Sequence, residues 1–407
     1  MIPPMSPSPE PIVIVGGGLV GASLAIALDA AGLPAVLIEA AAPTVGQQPS
    51  YDERNLALAR ATVNGLRAIG VWDFAEDRAT PITHIHTSRA GDFGSVRMNA
   101  SEEGVDALGW TLPARELGAA LLRRLDRCQH LTRLAPARVE GIHADDRGWA
   151  VDVVTDAGVR SLHTSLLVGA DGTHSGVRRQ LGIGTREHDY AQALFVTTMT
   201  PERDPRGRAF ERFTDDGPVA VLPLTDRRVG VVLTVAADRV DEVAAMDDRA
   251  FAALAQERFG WRLGRLTRPG KRSPYPIRRV AAEALTSNRA VLVGNAAQTV
   301  HPIGAQGFNL GLRDALTLAE LAAGATDPGA PSLLAEYAAR RATDREGTMA
   351  MSHGLVRLAC LDQPFLGPLR SLAMLALDRV PPLRHALSRR GMGFRANAPF
   401  AVREKTP

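Results

Sequence analysis

The chain has 407 residues, of which 45% are hydrophobic and 22% charged, and its formal net charge at pH 7 is +3. This size and balance are typical of a globular protein with two domains, and so small a charge argues against a nucleic-acid partner. The two cysteines, Cys128 and Cys360, provide neither a disulfide framework nor a metal-ligand spacing. We therefore expect no metal site and a reducing, cytoplasmic compartment.

The first ten residues, MIPPMSPSPE, lack the basic and apolar regions of a signal peptide, and we expect them to be a disordered leader. No apolar run reaches the ~18 residues that a membrane-spanning helix needs. The sequence therefore predicts neither a secretory signal nor a transmembrane anchor.

A strand–helix–strand unit is predicted next. A β-branched run at residues 12–15 leads into GGGLVG, an Ala/Leu-rich helix and a second apolar strand that ends at Glu39. In this arrangement Gly16 makes a tight turn, Gly18 lets the backbone approach a pyrophosphate, and Gly21 allows close helix–strand packing. Glu39 is placed to accept a hydrogen bond from a ribose hydroxyl. The unit predicts a bound dinucleotide, NAD or FAD, without a 2′-phosphate.

The middle of the chain mixes helices and strands. Residues 51–72 have a helix-like pattern, residues 81–106 alternate as strands do, and a clear amphipathic helix starts at about Pro113. A β-meander follows, with turns at residues 145–148 and 156–158. These elements predict further parts of an α/β domain.

The meander ends in an apolar strand that leads to Asp171 and Gly172, and Ser175 is the expected N-cap of the next helix. An Asp-Gly pair at this point is equally typical of an ordinary turn. Residues 187–273 then alternate between polar and apolar side chains, which predicts an antiparallel sheet with one helix at residues 249–259. From Tyr275 the strand–loop–helix pattern returns, and residues 331–392 are predicted to be helical.

The stretch VGNAAQTVHPIGAQGFNLGLRDA, residues 293–315, is a third glycine-rich connection. Gly294 and Asn295 follow an apolar strand, and a loop with Pro302 and Gly304 leads to a helix expected to start near Phe308. The N–H groups and dipole of such a helix start stabilise negative charge, such as that of a reduced flavin. A plain strand–loop–helix connection explains the glycines alone, but not their combination with the two earlier motifs.

The predicted fold is α/β, with three parts in addition to the leader. A discontinuous Rossmann-like nucleotide-binding domain comprises residues 11–80, 107–186 and 274–345. A β-rich substrate domain, residues 81–106 and 187–273, is inserted into it, and residues 346–395 form a C-terminal helical segment.

The three motifs, in this order and spacing, resemble the single-component FAD-dependent aromatic hydroxylases, the family of p-hydroxybenzoate hydroxylase. Within that family, the third motif and the segments GRAFERFTDDGPVAVLPLTD and FGWRLGRLTRPGKRSPYP are similar to ubiquinone-biosynthesis hydroxylases. The resemblance extends from about Pro11 to Arg345. It implies bound FAD, NAD(P)H as a transient co-substrate, and O2.

The resemblance also implies a set of cofactor-binding residues. These are Gly16, Gly18, Gly21, Glu39, Arg54, Arg115, Val139, Asp171, Gly172, Gly294, Asn295, Pro302, Gly304, Ala305, Gln306, Gly307, Phe308 and Asn309. Two features depart from the family pattern. Asn295 and Gln298 stand where many relatives carry Asp and His, and the order Gly304-Ala305 is reversed. A positive φ at Ala305 would cost about 1 kcal/mol.

No acid–base pair stands out, so the catalytic residues stay unknown beyond the flavin-facing loop from Pro302 to Gly307. His301, His84 and His86 are more simply explained as structural residues. Four residues on strands expected to face the flavin are candidates for the substrate pocket, although core packing explains the apolar ones equally well. These four are Phe210, Arg212, Leu222 and Pro223.

The expected activity is hydroxylation of a polyprenylated methoxyphenol ring in ubiquinone biosynthesis. Three different functions stay open: a sister hydroxylase acting at another ring position, a soluble phenol or aromatic-acid hydroxylase, and a flavin-bearing scaffold subunit of a biosynthetic complex. The segment from Pro364 to Arg395 mixes Leu, Met and Phe with Arg. It is expected either to pack on the catalytic domain or to contact the inner membrane face or a ubiquinone-biosynthesis complex.

Overall fold

The computed structural model describes residues 10–42, 44, 48–360, 366–395 and 398–403, without the side chains of 351–360 and 366. Residues 1–9 of the expected leader lie outside the described part. In chain order the helices are α1 (Leu19–Ala30), α2 (Arg60–Ala68), α3 (Ala114–Leu125), α4 (Gly176–Gln180), α5 (Val240–Ala245), α6 (Asp248–Phe259), α7 (Gln306–Ala323), α8 (Pro331–Cys360), α9 (Leu366–Arg379) and α10 (Pro381–Gly391). Within the described residues, none of the helices is both long and apolar enough to cross a bilayer.

The strands are distributed among four sheets. In chain order they are β1 (Ile12–Val15), β2 (Ala35–Ile38), β3 (Asn55–Ala59), β4 (Thr80–Ile82), β5 (His84–Arg89), β6 (Ser95–Asn99), β7 (Gly109–Pro113), β8 (Leu131–Leu134), β9 (Ala137–Ala144), β10 (Trp149–Thr155), β11 (Gly158–Thr164), β12 (Leu167–Gly169), β13 (Thr185–Pro201), β14 (Arg208–Thr214), β15 (Gly217–Pro223), β16 (Val229–Ala236), β17 (Leu266–Thr267), β18 (Ser273–Ala282), β19 (Thr286–Ser287), β20 (Ala290–Leu292) and β21 (Gln298–Thr299).

One sheet has the order β19-β20-β12-β1-β2-β8 and is parallel except at β19. Its central strand β1 is fully buried, and α1 packs on it with the side chains of Leu24, Ile26 and Leu28 inaccessible to solvent. Burial on both faces explains why these strands are continuous apolar runs. The carboxyl ends of β1, β12 and β20 meet at one edge, which brings the three glycine-rich motifs together. The predicted α/β fold is confirmed.

The second large sheet has the order β21-β18-β13-β16-β15-β14-β5-β6, with β17 paired to β13. It is antiparallel except between β14 and β5. Strand β18 belongs to this sheet, because it pairs along most of the 17-residue β13. Residues 274–282 were expected in the nucleotide-binding domain, and the division of the chain into domains stays a prediction.

Residues 55–59 are a strand, although a helix was expected from residue 51 onward. Strand β3 pairs antiparallel with β7, and α2 begins only at Arg60. The sequence NLALA alternates over too few residues to outweigh the helical pattern behind it, so the pairing with β7 decides its conformation. The meander β9-β10-β11 and α6 were predicted correctly.

Candidate functional site

The first glycine turn is shaped by close packing. Gly16 has φ +106°, and a Cβ added there would lie 2.5 Å from the carbonyl oxygen of Ala170. A Cβ at Gly21 would collide with the carbonyl oxygen of Gly16. At Gly18 a Cβ would meet only Ser50 Oγ, at 3.1 Å, so the fold itself does not strictly require a glycine there. The lack of a strict steric requirement fits a glycine that lets a ligand approach the backbone.

Gly18 is the N-cap of α1 and no side chain caps this helix, so its first N–H groups remain available to an anion. The Glu39 carboxylate accepts hydrogen bonds from the N–H groups of Gly17 (2.6 Å) and Ala41 (2.7 Å). A small cleft with a volume of about 20 Å³ adjoins them. It is lined by Gly17, Leu37, Glu39, Ala42, Gln48, Tyr51, Leu122, Leu125, Arg133 and Ala135.

Arg54 and Arg115 meet at one corner beside this turn. The guanidinium of Arg54 pairs with Asp52 at 2.7 Å and lies over the Tyr275 ring, 5.5 Å from its centroid. Arg115 pairs with Glu53 and donates its backbone N–H to the carbonyl of Asp52. Both side chains are partly exposed, so a phosphate could compete for them. Val139 lies on β9, which begins beside Glu39 because the N–H of Ala137 donates to the carbonyl of Glu39.

Asp171 caps a helix in this structure. Its carboxylate accepts from Ser175 Oγ (2.5 Å) and from the N–H groups of Gly176 (2.7 Å) and Val177 (3.1 Å). Ser175 Oγ in turn accepts from the Arg178 N–H, which confirms the expected N-cap. The carboxylate is therefore committed to α4. Gly172, with φ +84°, borders open space.

Gly294 joins the third motif to the first. Its φ is +59°, and a Cβ there would press against Val20 of α1 at 3.0 Å. A Cβ at Gly311 of α7 would meet the same Val20 side chain at 2.7 Å. These two glycines let the first turn of α1 pack closely against α7 and against the segment at Gly294. Asn295, by contrast, is exposed.

The loop before α7 contains two consecutive left-handed residues, Gly304 (φ +67°) and Ala305 (φ +51°). The alanine therefore carries the strain that the reversed order would create. Helix α7 starts at Gln306, two residues before the expected start, and no side chain caps it. A Cβ at Gly307 would meet nothing within 4 Å. Open space beside an uncapped helix start fits a flat ring with negative charge.

The Asn309 side chain fixes the position of this loop by hydrogen bonds, a role that the sequence pattern did not indicate. Its Oδ1 accepts from the Ala59 N–H (3.0 Å) and from Thr62 Oγ1 (2.6 Å). Its Nδ2 donates to the carbonyls of Ala57 (3.0 Å) and Ala305 (2.7 Å). The side-chain amide is fully occupied and positions the loop, and the place of Asn309 among the FAD-binding residues stays a prediction.

A buried charge network lies behind the loop and was missed from the sequence. Asp314 accepts from the Gly294 N–H (3.1 Å) and from Gln298 Nε2 (2.7 Å), and Arg341 Nε donates to it at 2.7 Å. Asp344 accepts from Arg341 Nη1 at 2.9 Å. Burial opposes ionisation, but Arg313 and Arg341 hold the pKa of Asp344 well below its usual range. Asp314 lies on α7 whereas Arg341 and Asp344 lie on α8, so no local signal indicated that these residues meet.

The side chains of β14 alternate between two environments. Phe210 packs against Phe259 of α6, 5.4 Å between ring centroids, in the core behind the sheet. Arg212 lies on that same face, and its Cζ approaches Gly260. Glu211 points the opposite way and accepts a hydrogen bond from the Gly304 N–H at 3.4 Å. Phe210 and Arg212 are thus on the face turned away from the flavin-facing loop, because strand side chains alternate.

The same alternation sorts the other two substrate-pocket candidates. Glu211 pairs with Ala220, so Leu222, two residues on, shares the face of Glu211, and Pro223 lies on the face of Phe210. Leu222 pairs with Gly230, where a Cβ would meet Asn55 of β3 at 2.6 Å or more. Leu222 therefore lies on the loop-facing side of the sheet.

None of the three histidines is positioned as a catalytic group: His86 lies on the face turned away from the loop, and His301 and His84 contact neighbouring protein groups. His86 is on the face of Phe210, 6.0 Å between ring centroids, and burial and Arg262 lower its pKa to about 4. His301 is buried, its Nδ1 accepts from the Ile303 N–H at 3.1 Å, and its ring packs edge-on against Tyr190. His84 Nδ1 lies 2.9 Å from Thr83 Oγ1. This geometry supports the structural interpretation.

Residues 10–352 match the family model described as "FAD binding domain". The chain belongs to this family. It is 38% identical to the ubiquinone hydroxylase UbiL of Rhodospirillum rubrum, over 94% of this chain and 89% of that protein. It is 30% identical to the 3-demethoxyubiquinol 3-hydroxylase of Escherichia coli, over 96% of this chain and all of that one.

Among solved structures, p-nitrophenol 4-monooxygenase PnpA from Pseudomonas putida has a similar fold. Its TM-score is 0.78 at 20% sequence identity, covering 95% of this chain and 99% of that one. The expectations of a flavoprotein hydroxylase and of FAD as cofactor are confirmed by the family and its hydroxylase members. The open glycines and uncapped helices α1 and α7 fit this cofactor. Individual FAD contacts stay predictions.

Proposed function

We propose that this protein is an FAD-dependent monooxygenase that uses NAD(P)H and O2 to hydroxylate the ring of a polyprenylated methoxyphenol in ubiquinone biosynthesis. The observation that carries the proposal is similarity to ubiquinone hydroxylases along nearly the whole chain, 94% of it for the Rhodospirillum rubrum protein. Since this similarity includes the substrate-facing sheet as well as the nucleotide-binding motifs, it supports the substrate class and not only the cofactor.

The chemistry supplied by bound FAD is acceptance of a hydride from NAD(P)H and activation of O2. The turn at Gly16 and Gly18 would hold the pyrophosphate with backbone N–H groups at the start of α1, and Glu39 would accept from a ribose hydroxyl. The segment from Pro302 to Gly307 would lie along the flavin ring. The uncapped start of α7 would stabilise negative charge on that ring.

We further propose that the loop-facing side of β14 and β15 forms one wall of the substrate pocket. Leu222 supplies apolar surface there, and Glu211 supplies a carboxyl group whose pKa is raised by burial. A carboxyl group can exchange a hydrogen bond with the hydroxyl of a phenol, as acceptor when ionised and as donor when neutral. Leu222→Trp is expected to raise KM for a short-chain phenol without changing FAD affinity. Phe210→Leu, behind the sheet, serves as control; equal effects of the two substitutions would contradict this assignment.

Quinone profiling of a deletion strain tests the proposed function. The strain is expected to accumulate a prenylated precursor that lacks one ring hydroxyl, and expression of the chain should restore ubiquinone. The position of the missing hydroxyl distinguishes a 2-polyprenyl-6-methoxyphenol hydroxylase from a sister enzyme. An unchanged quinone profile would refute a role in this biosynthesis.

Assays with purified protein distinguish the proposed monooxygenase from a soluble aromatic hydroxylase and from a scaffold subunit. Turnover of simple hydroxybenzoates would indicate a soluble aromatic hydroxylase. A scaffold subunit would bind FAD but show no oxidation of NAD(P)H stimulated by a phenol substrate. The proposed monooxygenase is expected to oxidise NAD(P)H in the presence of a prenylated phenol and to form the hydroxylated product in proportion.

We also infer that α9 and α10 contact the surface of the membrane that holds such a substrate. Five apolar side chains of the two helices are 37–64% exposed, and Phe93, 70% exposed, lies in the hairpin that packs on Ser371 of α9. We call the five the α9–α10 surface: Leu369, Leu372, Leu375, Val380 and Leu383. The acidic residue of these helices, Asp378, is buried and paired with Arg97 at 2.7 Å. An apolar surface without exposed acids suits an anionic bilayer.

Vesicle flotation tests this contact. Leu372→Ser combined with Leu375→Ser is expected to reduce binding to anionic vesicles while activity on a short-chain phenol is retained. Unchanged vesicle binding by the double variant would contradict the proposed membrane contact. The α9–α10 surface would then be assigned to contact with a protein of a ubiquinone-biosynthesis complex.

A further inference from the structure

A basic cavity lies between α8 and α10. It is about half open to solvent and has a volume of about 400 Å³. We call it the α8–α10 cavity, and its lining is Thr343, Asp344, Gly347, Ala386, Arg389, Arg390, Phe394 and Arg395. Three of these eight residues are arginines and one is acidic. The cavity is thus lined by more positive than negative side chains.

The acidic residue of the cavity cannot neutralise its arginines. Asp344 already accepts from Arg313 Nε at 2.6 Å and from Arg341 Nη1 at 2.9 Å, and both of those arginines are almost fully buried. Arg395 Nε reaches the same carboxylate at 3.3 Å. One carboxylate therefore serves three guanidinium groups, of which only Arg341 also contacts Asp314. Among the described residues that line the cavity, positive side chains thus outnumber negative ones.

Arg395 shows this excess most clearly. Its side chain is 14% exposed, and its Nη2 is buried and has no hydrogen-bond acceptor among the described residues. Burial and the nearby charges of Arg313 and Arg390 lower the pKa of Arg395 to about 10. A buried donor without an acceptor costs free energy in the folded protein.

We infer that the α8–α10 cavity is a binding site for a phosphate group. Arginine guanidinium groups bind phosphate through paired N–H donors, and several arginines around one cavity favour a group with more than one negative charge. The Arg390 Nη2 is held near the Gly347 carbonyl at 3.4 Å, so this side chain is already directed across the cavity. The volume exceeds that of a single ion of a few heavy atoms, which leaves room for the group to which the phosphate is attached.

The position of the cavity suggests which molecules could supply the bound phosphate group. Leu383, Ala386 and Arg390 follow each other at spacings of three and four residues, so they share one face of α10. Ala386 and Arg390 line the cavity, and Leu383 belongs to the α9–α10 surface. A phospholipid headgroup and a free phosphate ester both carry the chemistry that the cavity would bind, and the two are separated by experiment.

The test uses the FAD-loaded full-length protein with two probes, inorganic phosphate and phosphatidylcholine vesicles with or without phosphatidic acid. Arg390→Gln removes a cavity charge. Arg379→Gln is the matched control, because Arg379 is 73% exposed on α9, carries the same charge and lies outside the cavity lining. Retained flavin content shows that each variant is folded.

Arg390→Gln is expected to weaken binding of one probe at least about tenfold, the loss that follows from removing about 1.4 kcal/mol of a charge-assisted contact. Arg379→Gln is expected to change it much less. A loss confined to phosphatidic acid vesicles identifies a lipid headgroup, and a loss of inorganic phosphate binding identifies a free phosphate. Equal losses in both variants, or no binding of either probe by the wild-type protein, would overturn the inference. Leu372→Ser with Leu375→Ser should leave phosphate binding intact, so this result is independent of the proposed membrane contact.

Discussion

Substitution of Gly307 by alanine is expected to affect the stability of the apoprotein and its affinity for FAD in opposite directions. Gly307 lies in the first turn of α7 with ordinary helical geometry, and a Cβ there would meet nothing within 4 Å. Since alanine favours a helix over glycine, Gly307→Ala is expected to raise the free energy of unfolding of the apoprotein by about 0.5–1 kcal/mol. The fold alone gives no reason for a glycine at this position.

The expected effect on FAD is opposite. If the flavin ring occupies the open space, the added methyl group must displace it, and overpacking of this kind costs about 1–3 kcal/mol. FAD should then bind about 5- to 150-fold more weakly. Titration of the apoprotein with FAD, followed by flavin fluorescence, measures the affinity, and urea unfolding of the apoprotein measures the stability.

Gly391 provides the control, because it ends α10 and a Cβ there would also meet nothing within 4 Å. Gly391→Ala should leave FAD affinity unchanged. Wild-type FAD affinity in Gly307→Ala would refute the placement of the ring beside this helix start. A loss of FAD affinity accompanied by a destabilised apoprotein would show that the space around Gly307 is needed by the fold.

Three further substitutions test the supports of the site. Asn309→Ala leaves the Ala305 carbonyl and its other buried partners without the amide, so urea unfolding should show a loss of about 2 kcal/mol or more. Asp344→Asn removes the carboxylate from Arg313 and Arg395 and leaves Arg341 with Asp314 alone, so the same measurement should show a loss of about 3–5 kcal/mol. His86 stays neutral in the folded state, since burial and Arg262 lower its pKa to about 4, whereas the unfolded chain takes up a proton near pH 6.5. Stability should therefore fall as the pH decreases from 6.5 to 4, by about 1–2 kcal/mol after allowance for partial exposure, and His86→Gln should remove this dependence.

Each of these expectations has a clear contrary outcome. Unchanged stability of Asn309→Ala would mean that the loop is held by other contacts. A stable Asp344→Asn protein would show that the arginines find compensation elsewhere, which would also weaken the case for excess charge in the α8–α10 cavity. A pH profile of His86→Gln that follows the wild type would assign the acid sensitivity to other groups.

The nucleotide-binding motifs were predictable because they are local. The turn at residues 16–21, the strand end at Glu39 and the Ser175 cap depend on backbone requirements that neighbouring residues satisfy. The departure at Ala305 was also visible in the sequence, and its positive φ in the structure is the consequence of placing glycine one residue earlier. A family resemblance over most of the chain then supplied the cofactor and the reaction class.

Tertiary structure alone decided which residues support the site. Phe210 and Glu211 are adjacent in sequence, yet one packs in the core with Phe259 and the other faces Gly304, because a strand presents successive side chains to opposite faces. The face that meets the flavin loop depends on how the sheet docks, which no local pattern encodes.

The buried charge network was also decided by tertiary structure alone. Asp314 and Asp344 are thirty residues apart, and both accept hydrogen bonds from Arg341. Arg341 reaches both carboxylates only because α7 and α8 pack together. Helical periodicity alone does not distinguish a buried charged residue from a solvated one. The sequence by itself thus determined the cofactor, the class of fold and the order of the motifs. Only packing between distant segments decided how the loop is held, which sheet face it meets and where positive charge is left in excess.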